Sequence, residues 1–197
     1  MIVLRGLVLF ADAQVRITPM AGYLLGGRMH TPTGDFKYSN DFMWGGSLGY
    51  KFSDYASAEF TYLRSDSEMK FRYNNGTEEN LGGASADYFL IGSMTEKPLH
   101  ERFAPFIQPQ IGAARFSSRT PGVSDEWMFA VSVAGGLNVR LLGFMLVRAE
   151  ARLLAPMKFN GVGFWCSTGG CDIGISSWSQ FIQGYFGGGL IFEVGGK

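Results

Sequence analysis

The chain has 197 residues, enough for one domain with a sizeable core, and Lys+Arg and Asp+Glu both number 17, so the formal net charge is zero. That balance gives no support to nucleic-acid binding, which normally shows a basic excess or patch. With 28 Gly, 15% aromatic and only 17% charged residues against about 25% in typical soluble domains, the surface is short of charge. No apolar run reaches about 18 residues, so a transmembrane helix is excluded and any membrane role must come from a β-barrel.

The N-terminal stretch MIVLRGLVLFADAQ has one basic residue, Arg5, an apolar run from Gly6 to Phe10, and a small-x-small site, Ala11-Asp12-Ala13. Residues 1–13 therefore resemble a short secretory signal, below the usual length of about 15 to 30, with 14–197 as one barrel domain; the competing reading is an apolar lead-in to the first strand. The next segment, VRITPMAGYLLGG, carries Val15 and Ile17, then Met20, Gly22 and Leu24, and is expected to be a strand with a bulge at Pro19. Residues 28–40 are polar and rich in turn formers, a long loop.

In DFMWGGSLGYKF, Phe42, Trp44, Gly46, Leu48, Tyr50 and Phe52 alternate with Met43, Gly45, Ser47, Gly49 and Lys51. A tight turn at Ser53-Asp54 leads into YASAEFTYLRS, where Ala56, Ala58, Phe60 and Tyr62 oppose Ser57, Glu59 and Thr61, so the two strands read as a hairpin. A second long loop is expected over 65–85, its MKFRY portion extending the strand. The fourth strand, ADYFLIGSMT, sets Tyr88, Leu90, Gly92 and Met94 against Asp87, Phe89, Ile91 and Ser93 with little contrast in polarity. A charged turn, Glu96 to Arg102, separates it from FAPFIQPQIGAARF, where Gln108 and Gln110 alternate with Ile107, Pro109 and Ile111.

After a moderate loop, SSRTPGVSD, comes the clearest strand, EWMFAVSVAGGLNVRLL. Trp127, Phe129, Val131, Val133, Leu137, Val139 and Leu141 share one face, and Met128, Ala130, Ser132, Ala134, Asn138 and Arg140 the other. Its length exceeds the roughly 5 to 6 residues of an ordinary globular strand and suits the roughly 9 to 11 needed to cross a bilayer on a tilt. Leu142-Gly143 turns into FMLVRAEARLLAP, where Arg148, Glu150 and Arg152 alternate with Val147, Ala149, Ala151 and Leu153. A last long segment, Pro156 to Ser177, holds Cys166 and Cys171, and WSQFIQGYFGGGLIFEV closes the chain with Ile182, Gly184, Phe186, Gly188, Leu190 and Phe192 outward.

The expectation is all-β: an eight-stranded antiparallel up-and-down transmembrane β-barrel, with an even strand number and connections alternating long and short. A soluble barrel would put the aromatic face inside, and Trp44, Phe60, Trp127, Phe129, Phe186 and Phe192 are too bulky for one narrow lumen. Inverted, the barrel gives the aromatics to lipid and leaves the lumen to small residues and paired charges.

The hairpin GGSLGYKFSDYASAEFTY, the FAPFIQPQIGAARF strand and the glycine-rich QGYFGGGLIFEV resemble the small outer-membrane β-barrel family that includes the OmpA transmembrane domain and OmpX, over roughly Gln14 to Val194. The resemblance implies a bacterial outer-membrane location, contact with outer-membrane lipid and lipopolysaccharide, and no cofactor. Such proteins usually end on an aromatic residue; here Phe192 is followed by Glu193-Val194-Gly195-Gly196-Lys197, so Phe192 would serve with a short extension or assembly would follow another route.

Candidate sites follow from that frame. Lys51, Glu59, Arg140, Arg148, Glu150 and Arg152 face one lumen and must neutralise one another, as a packed polar plug or, alternatively, as a gate for water or small ions. Arg64, Lys70, Arg72, Arg115 and Arg119 near the outer rim suit lipopolysaccharide phosphates, with plain solvation as the competing reading. Cys166 and Cys171 suit a disulfide in an oxidising compartment; no His or further Cys completes a metal set. Similar barrels include lipid A deacylases and palmitoyl transferases, which would imply a rim His with Ser or Asp. Only His30, near Thr31 and Asp35, and His100 in a turn are present, so no enzyme is expected. Asn75-Gly76-Thr77 reads as turn chemistry rather than a glycosylation site.

The functional expectation is a structural or surface-interaction protein acting through its extracellular loops, without a wide pore. The alternatives are a subunit of a larger envelope assembly, docked through outward glycines such as Gly184 and Gly188, or a narrow small-solute channel.

Overall fold

The computed structural model describes residues 14–25, 28–31, 34–38, 40–73, 78–99, 102–118, 125–167, 170–179 and 182–195, of which 28–38, 67–73, 78–82, 118 and 158–179 are described by backbone alone. The described residues form eleven strand segments: β1 (Gln14–Leu25), β2 (Arg28–Thr31), β3 (Gly34–Tyr38), β4 (Asp41–Ser53), β5 (Ala56–Tyr73), β6 (Glu78–Glu96), β7 (Phe103–Ser118), β8 (Glu126–Leu142), β9 (Met145–Ser167), β10 (Gly170–Ser179) and β11 (Gln183–Val194). Every pairing is antiparallel. The ring β4-β1-β11-β9-β8-β7-β6-β5 closes because β5 pairs with both β4 and β6. This is an eight-stranded closed barrel. In lipid, closure leaves no sheet edge whose backbone groups lack partners.

The other three segments continue existing staves. The register of β2 with β3 (Arg28↔Lys37) prolongs that of β1 with β4 (Gln14↔Lys51), and β3 and β4 both run against β5. Likewise β10 lies along β9 beyond the last β11 pair, Gln183↔Leu154. Three of the stretches expected to be loops, 28–40, 65–85 and 156–177, are thus largely β-hairpins that carry the wall past the barrel. Trp178 belongs to β10, so the closing stave begins at Gln183 rather than at Trp178.

The bulge expected at Pro19 is absent. β1 keeps one register against β11 from Val15↔Val194 to Leu25↔Gly184, and Pro19, which has no N–H to donate, points outward opposite Gly46 of β4. The strand therefore alternates without interruption. Val15 and Ile17 face out, while Arg16, Thr18, Met20 and Leu24 are buried in the lumen.

The outer wall is apolar at mid-height, with Ile17, Leu48, Ile91, Ile107, Ile111, Val133 and Leu190 exposed. Aromatics collect above and below: Tyr23 stands opposite Phe42 on β4 and Phe186 on β11, and Phe52, Tyr55, Phe103 and Phe144 ring the short-turn end. Phe42 to Phe52 is ten residue steps along β4. At ~3.3 Å per residue and ~40° tilt that is ~25 Å, the height of the apolar band of a membrane barrel.

Candidate functional site

The barrel wall delivers every second side chain to the lumen, and eight strands leave an interior just wide enough for side chains to fill. The filling has two layers. Toward the turn end lies an ionic lattice whose centre is Arg148 of β9, which donates through Nη1 and Nη2 to the two carboxylate oxygens of Glu59 on β5, both at 3.0 Å. Both side chains are fully buried. Glu59 also accepts from Gln108 Nε2 at 2.8 Å and from Ser47 Oγ at 3.3 Å. Gly49 leaves room for both side chains: a Cβ on it would stand 3.0 Å from Glu59 Cγ and 3.3 Å from Arg16 Cβ, a tight fit. Arg148 reaches Asn138 Oδ1 at 3.2 Å and lies over the Phe106 ring, 4.9 Å from its centroid.

Above this pair, Arg152 donates to Glu150 at 3.0 Å, to Gln108 at 2.9 Å, to Ser132 at 3.2 Å and also to Gln110. Below it, Glu193 of the closing strand accepts from Arg16 Nη2 at 2.8 Å and from Arg140 Nη1 at 2.9 Å, while Glu96 accepts from Arg16 at 2.7 Å and from Asn138 at 3.1 Å. Lys51 stands 3.8 Å from Glu96 and 4.0 Å from Asp54. All six residues named from sequence thus meet in one connected lattice. Removing one partner from a buried pair costs about 3–5 kcal/mol, because the other charge stays desolvated.

Three charged members are not among those six: Glu193 of β11, Glu96 and Arg16. Glu96 is the last residue of β6, 4% exposed, and not part of the following turn. Arg16, 1% exposed, was obscured by the break read at Pro19. Strict alternation from Met94 and from Thr18 identifies both.

Toward the loop end the lumen is apolar and filled by large side chains, and the expectation of a lumen left to small residues and paired charges is corrected there. Leu24, Met43, Leu63, Tyr88, Leu90, Leu154 and Tyr185 are all 0% exposed and pack into one cluster. The sequence hides this layer because both faces of strands such as ADYFLIGSMT are greasy. Apolar side chains fill an enclosed lumen without leaving polar groups to satisfy. Tyr88 donates to Gln183 within the cluster.

On the outer wall near the loop end, Arg64 binds Asp66 at 3.0 Å and Asp87 at 3.2 Å, and Tyr62 donates to Asp87 at 2.8 Å. Arg115 binds Asp125 at 2.6 Å and lies 5.9 Å from the Trp127 ring centroid. Phe89 lies between Tyr62, whose ring is tilted to it, and Trp127, on which it stacks. Two of the cations expected at the outer rim are therefore held on one outward face with carboxylate partners. Lys70 and Arg72 lie on β5 with backbone alone described, and Arg119 lies outside the described residues.

Cys166 of β9 is directly opposite Cys171 of β10, again with backbone alone described. The same holds for His30 on β2, while residues 1–13, 75–77 and His100 lie outside the described residues. Among the described residues no group of His, Cys, Asp and Glu could hold a metal ion. Outward Gly188 has an internal reason: a Cβ there would collide with the Arg148 carbonyl of the neighbouring stave.

At the turn end the lumen opens as a cavity of about 810 Å³ lined by Lys51, Phe52, Asp54, Arg140, Phe144 and Glu193. A second cavity of about 290 Å³ adjoins Lys51 and Arg140 and adds Arg16, Glu96, Arg102 and Asn138.

No family model and no curated protein matches the chain. Solved structures do. The barrel is similar to Neisserial surface protein A, with a TM-score of 0.61 at 12% identity over 92% of this chain and 97% of that one. It is equally similar to the outer-membrane protein OprG of Pseudomonas aeruginosa, with a TM-score of 0.61 at 10% identity over 94% and 97%. The N-terminal β-barrel domain of Pseudomonas aeruginosa OprF follows, with a TM-score of 0.53 at 10% identity over 92% and 97%. The fold is that of small eight-stranded outer-membrane barrels. At these identities the likeness is one of fold.

Proposed function

We propose that this chain is an integral barrel of the bacterial outer membrane that acts as a structural or surface-contact protein through its loop-end hairpins, without a wide pore. The observation that carries the reading is the filled lumen beneath a tall wall. Below the loop end, the apolar cluster and the ion lattice occupy the bore in succession. Above it, β9 runs for 23 residues, ~75 Å at ~3.3 Å per residue, far more than a tilted crossing needs. Its extension with β10, and the extension formed by β2, β3, β5 and β6, stand as two flaps beyond the lipid band. Within the small outer-membrane barrels, the hairpin and closing-strand pattern resembles the OmpA transmembrane domain and OmpX.

The test has two arms. In intact cells carrying Cys166→Ser and Cys171→Ser, a membrane-impermeant maleimide should label Tyr73→Cys at the end of β5 and spare Asp54→Cys in a turn. In planar bilayers, the purified barrel should give negligible conductance. Labelling of the turn alone, or steady ohmic conductance, overturns the reading.

A further inference from the structure

The lumen lattice does not balance. Among the described residues between the apolar cluster and the turn-end mouth, the inward ionisable side chains are five cations, Arg16, Lys51, Arg140, Arg148 and Arg152, against four carboxylates, Glu59, Glu96, Glu150 and Glu193. Arg148 and Arg152 each face a carboxylate of their own, Glu59 and Glu150. At the mouth, the buried carboxylates among the described residues that Arg16, Lys51 and Arg140 share are Glu96 and Glu193. The excess falls on Lys51. Arg16 and Arg140 bind their carboxylates at 2.7 to 2.9 Å, whereas Lys51 is no closer than 3.8 Å to Glu96 and 4.0 Å to Asp54, beyond hydrogen-bond reach of either.

Its surroundings are those of a receptor. Lys51 lines both turn-end cavities, and its side chain is only 16% exposed. Arg140 lines both as well, and Arg102, exposed on the turn before β7, lines the smaller one. Arg16, in the same lining, keeps Nη1 without a protein partner although the side chain is 1% exposed. Among the described residues, the only carboxylate in that lining not already tied into the lattice is Asp54, whose side chain is 91% exposed to solvent.

We infer that the turn-end mouth is a binding site for an oxyanion, a phosphate or carboxylate group, held between Lys51, Arg140 and Arg102. One such group supplies the negative charge that the lattice lacks. Three ammonium protons of Lys51 and the planar guanidinium forks match its oxygens, and the partly enclosed cavity strengthens the attraction relative to open water. This site faces away from the loop-end flaps, and its existence does not depend on their function.

The experiment uses the full chain in a maltoside detergent, which carries no phosphate, at constant ionic strength held with chloride. Inorganic phosphate and acetate are titrated separately, and binding is read by calorimetry and as a rise in the unfolding midpoint, because a ligand that binds only the folded state stabilises it by mass action. Binding of either anion above the chloride background upholds the site. Phosphate alone assigns a phosphate, and acetate alone a carboxylate.

Lys51→Met should weaken binding at least tenfold while the anion-free protein melts no lower than the parent, since its loss leaves the lattice neutral. Asp54→Asn, which removes the competing carboxylate, should tighten binding. A response to neither anion, or a Lys51→Met protein that binds as the parent does, overturns the inference.

Discussion

Arg148 and Glu59 meet across the lumen through two parallel 3.0 Å contacts, each side chain wholly removed from solvent. Such a pair is costly to assemble and costlier to halve. Glu59→Gln or Arg148→Met alone should destabilise the barrel by about 3–5 kcal/mol. Glu59→Leu combined with Arg148→Met should recover most of that loss, because neither charge is then left desolvated. Urea unfolding followed by tryptophan fluorescence in lipid vesicles measures all of them. Additive losses in the double variant would show that the two residues act independently.

Glu96 holds the turn end as Glu59 holds the centre, with Arg16, Asn138 and Lys51 around one carboxylate. Glu96→Gln keeps the shape and removes the charge, so Arg16 retains only Glu193. The expected loss is about 2–4 kcal/mol, less than for Glu59 because that second carboxylate remains. Heat-dependent mobility on a gel should show the variant unfolding at lower temperature than the parent.

That residue also shows how far the sequence is legible. Where the two strand faces differ in chemistry, as in 127–140 and 145–154, alternation places the side chains on their observed faces, and it breaks only at the register shift between Arg140 and Leu142. Where both faces are apolar, as around Tyr88 and Leu90, period two remains but does not say which face is inside, and the apolar lumen layer is invisible. Glu96 disappears into the charged string EKPLHER because a strand end and a turn share composition. The wall extensions fail for a related reason: beyond the lipid band no solvent contrast enforces alternation, so β2, β3 and β10 look like loops. The lattice depends on cross-barrel neighbours: alternation puts Arg148, Glu150 and Glu59 in one lumen but does not say that Arg148 meets Glu59.

Tyr185 lies in the apolar cluster, 0% exposed, and its hydroxyl has no protein partner. A buried hydroxyl left without a hydrogen bond carries its full desolvation cost. Tyr185→Phe should therefore leave stability unchanged or raise it by up to about 2 kcal/mol. A clear drop in the urea midpoint would mean that the hydroxyl is bonded in the native state.

Arg64 and Arg115 are the described cations on the outer wall near the loop end, beside Tyr62 and Trp127. Each already has a carboxylate, so a lipid phosphate would have to compete with Asp87 and Asp125. Changing both arginines to Ala should lower lipid A retained on the purified barrel severalfold, and Asp125→Asn should raise it by freeing Arg115. Unaltered retention in the double variant would reduce these cations to wall-stabilising ion pairs. Each such pair is worth about 1 kcal/mol or less at partly exposed positions.

Cys166 and Cys171 are paired in the backbone register of β9 with β10, and four residues separate them in sequence. Directly opposed residues of an antiparallel pair have Cα atoms ~4.5–5.5 Å apart, within the ~4.4–6.8 Å range that a disulfide spans. The pair is proposed to be oxidised outside the cell. Protein isolated without reductant and denatured in SDS should titrate with no free thiol and weigh two hydrogens less than the reduced chain. Because the closed loop is short, the bond should contribute only about 2 kcal/mol, and that locally, to the hairpin and not to the barrel. Reduction should therefore speed protease cleavage within 157–179 while leaving the gel mobility shift of the barrel unchanged. Two titratable thiols in the unreduced protein would remove the staple and leave the flap held by backbone pairing alone.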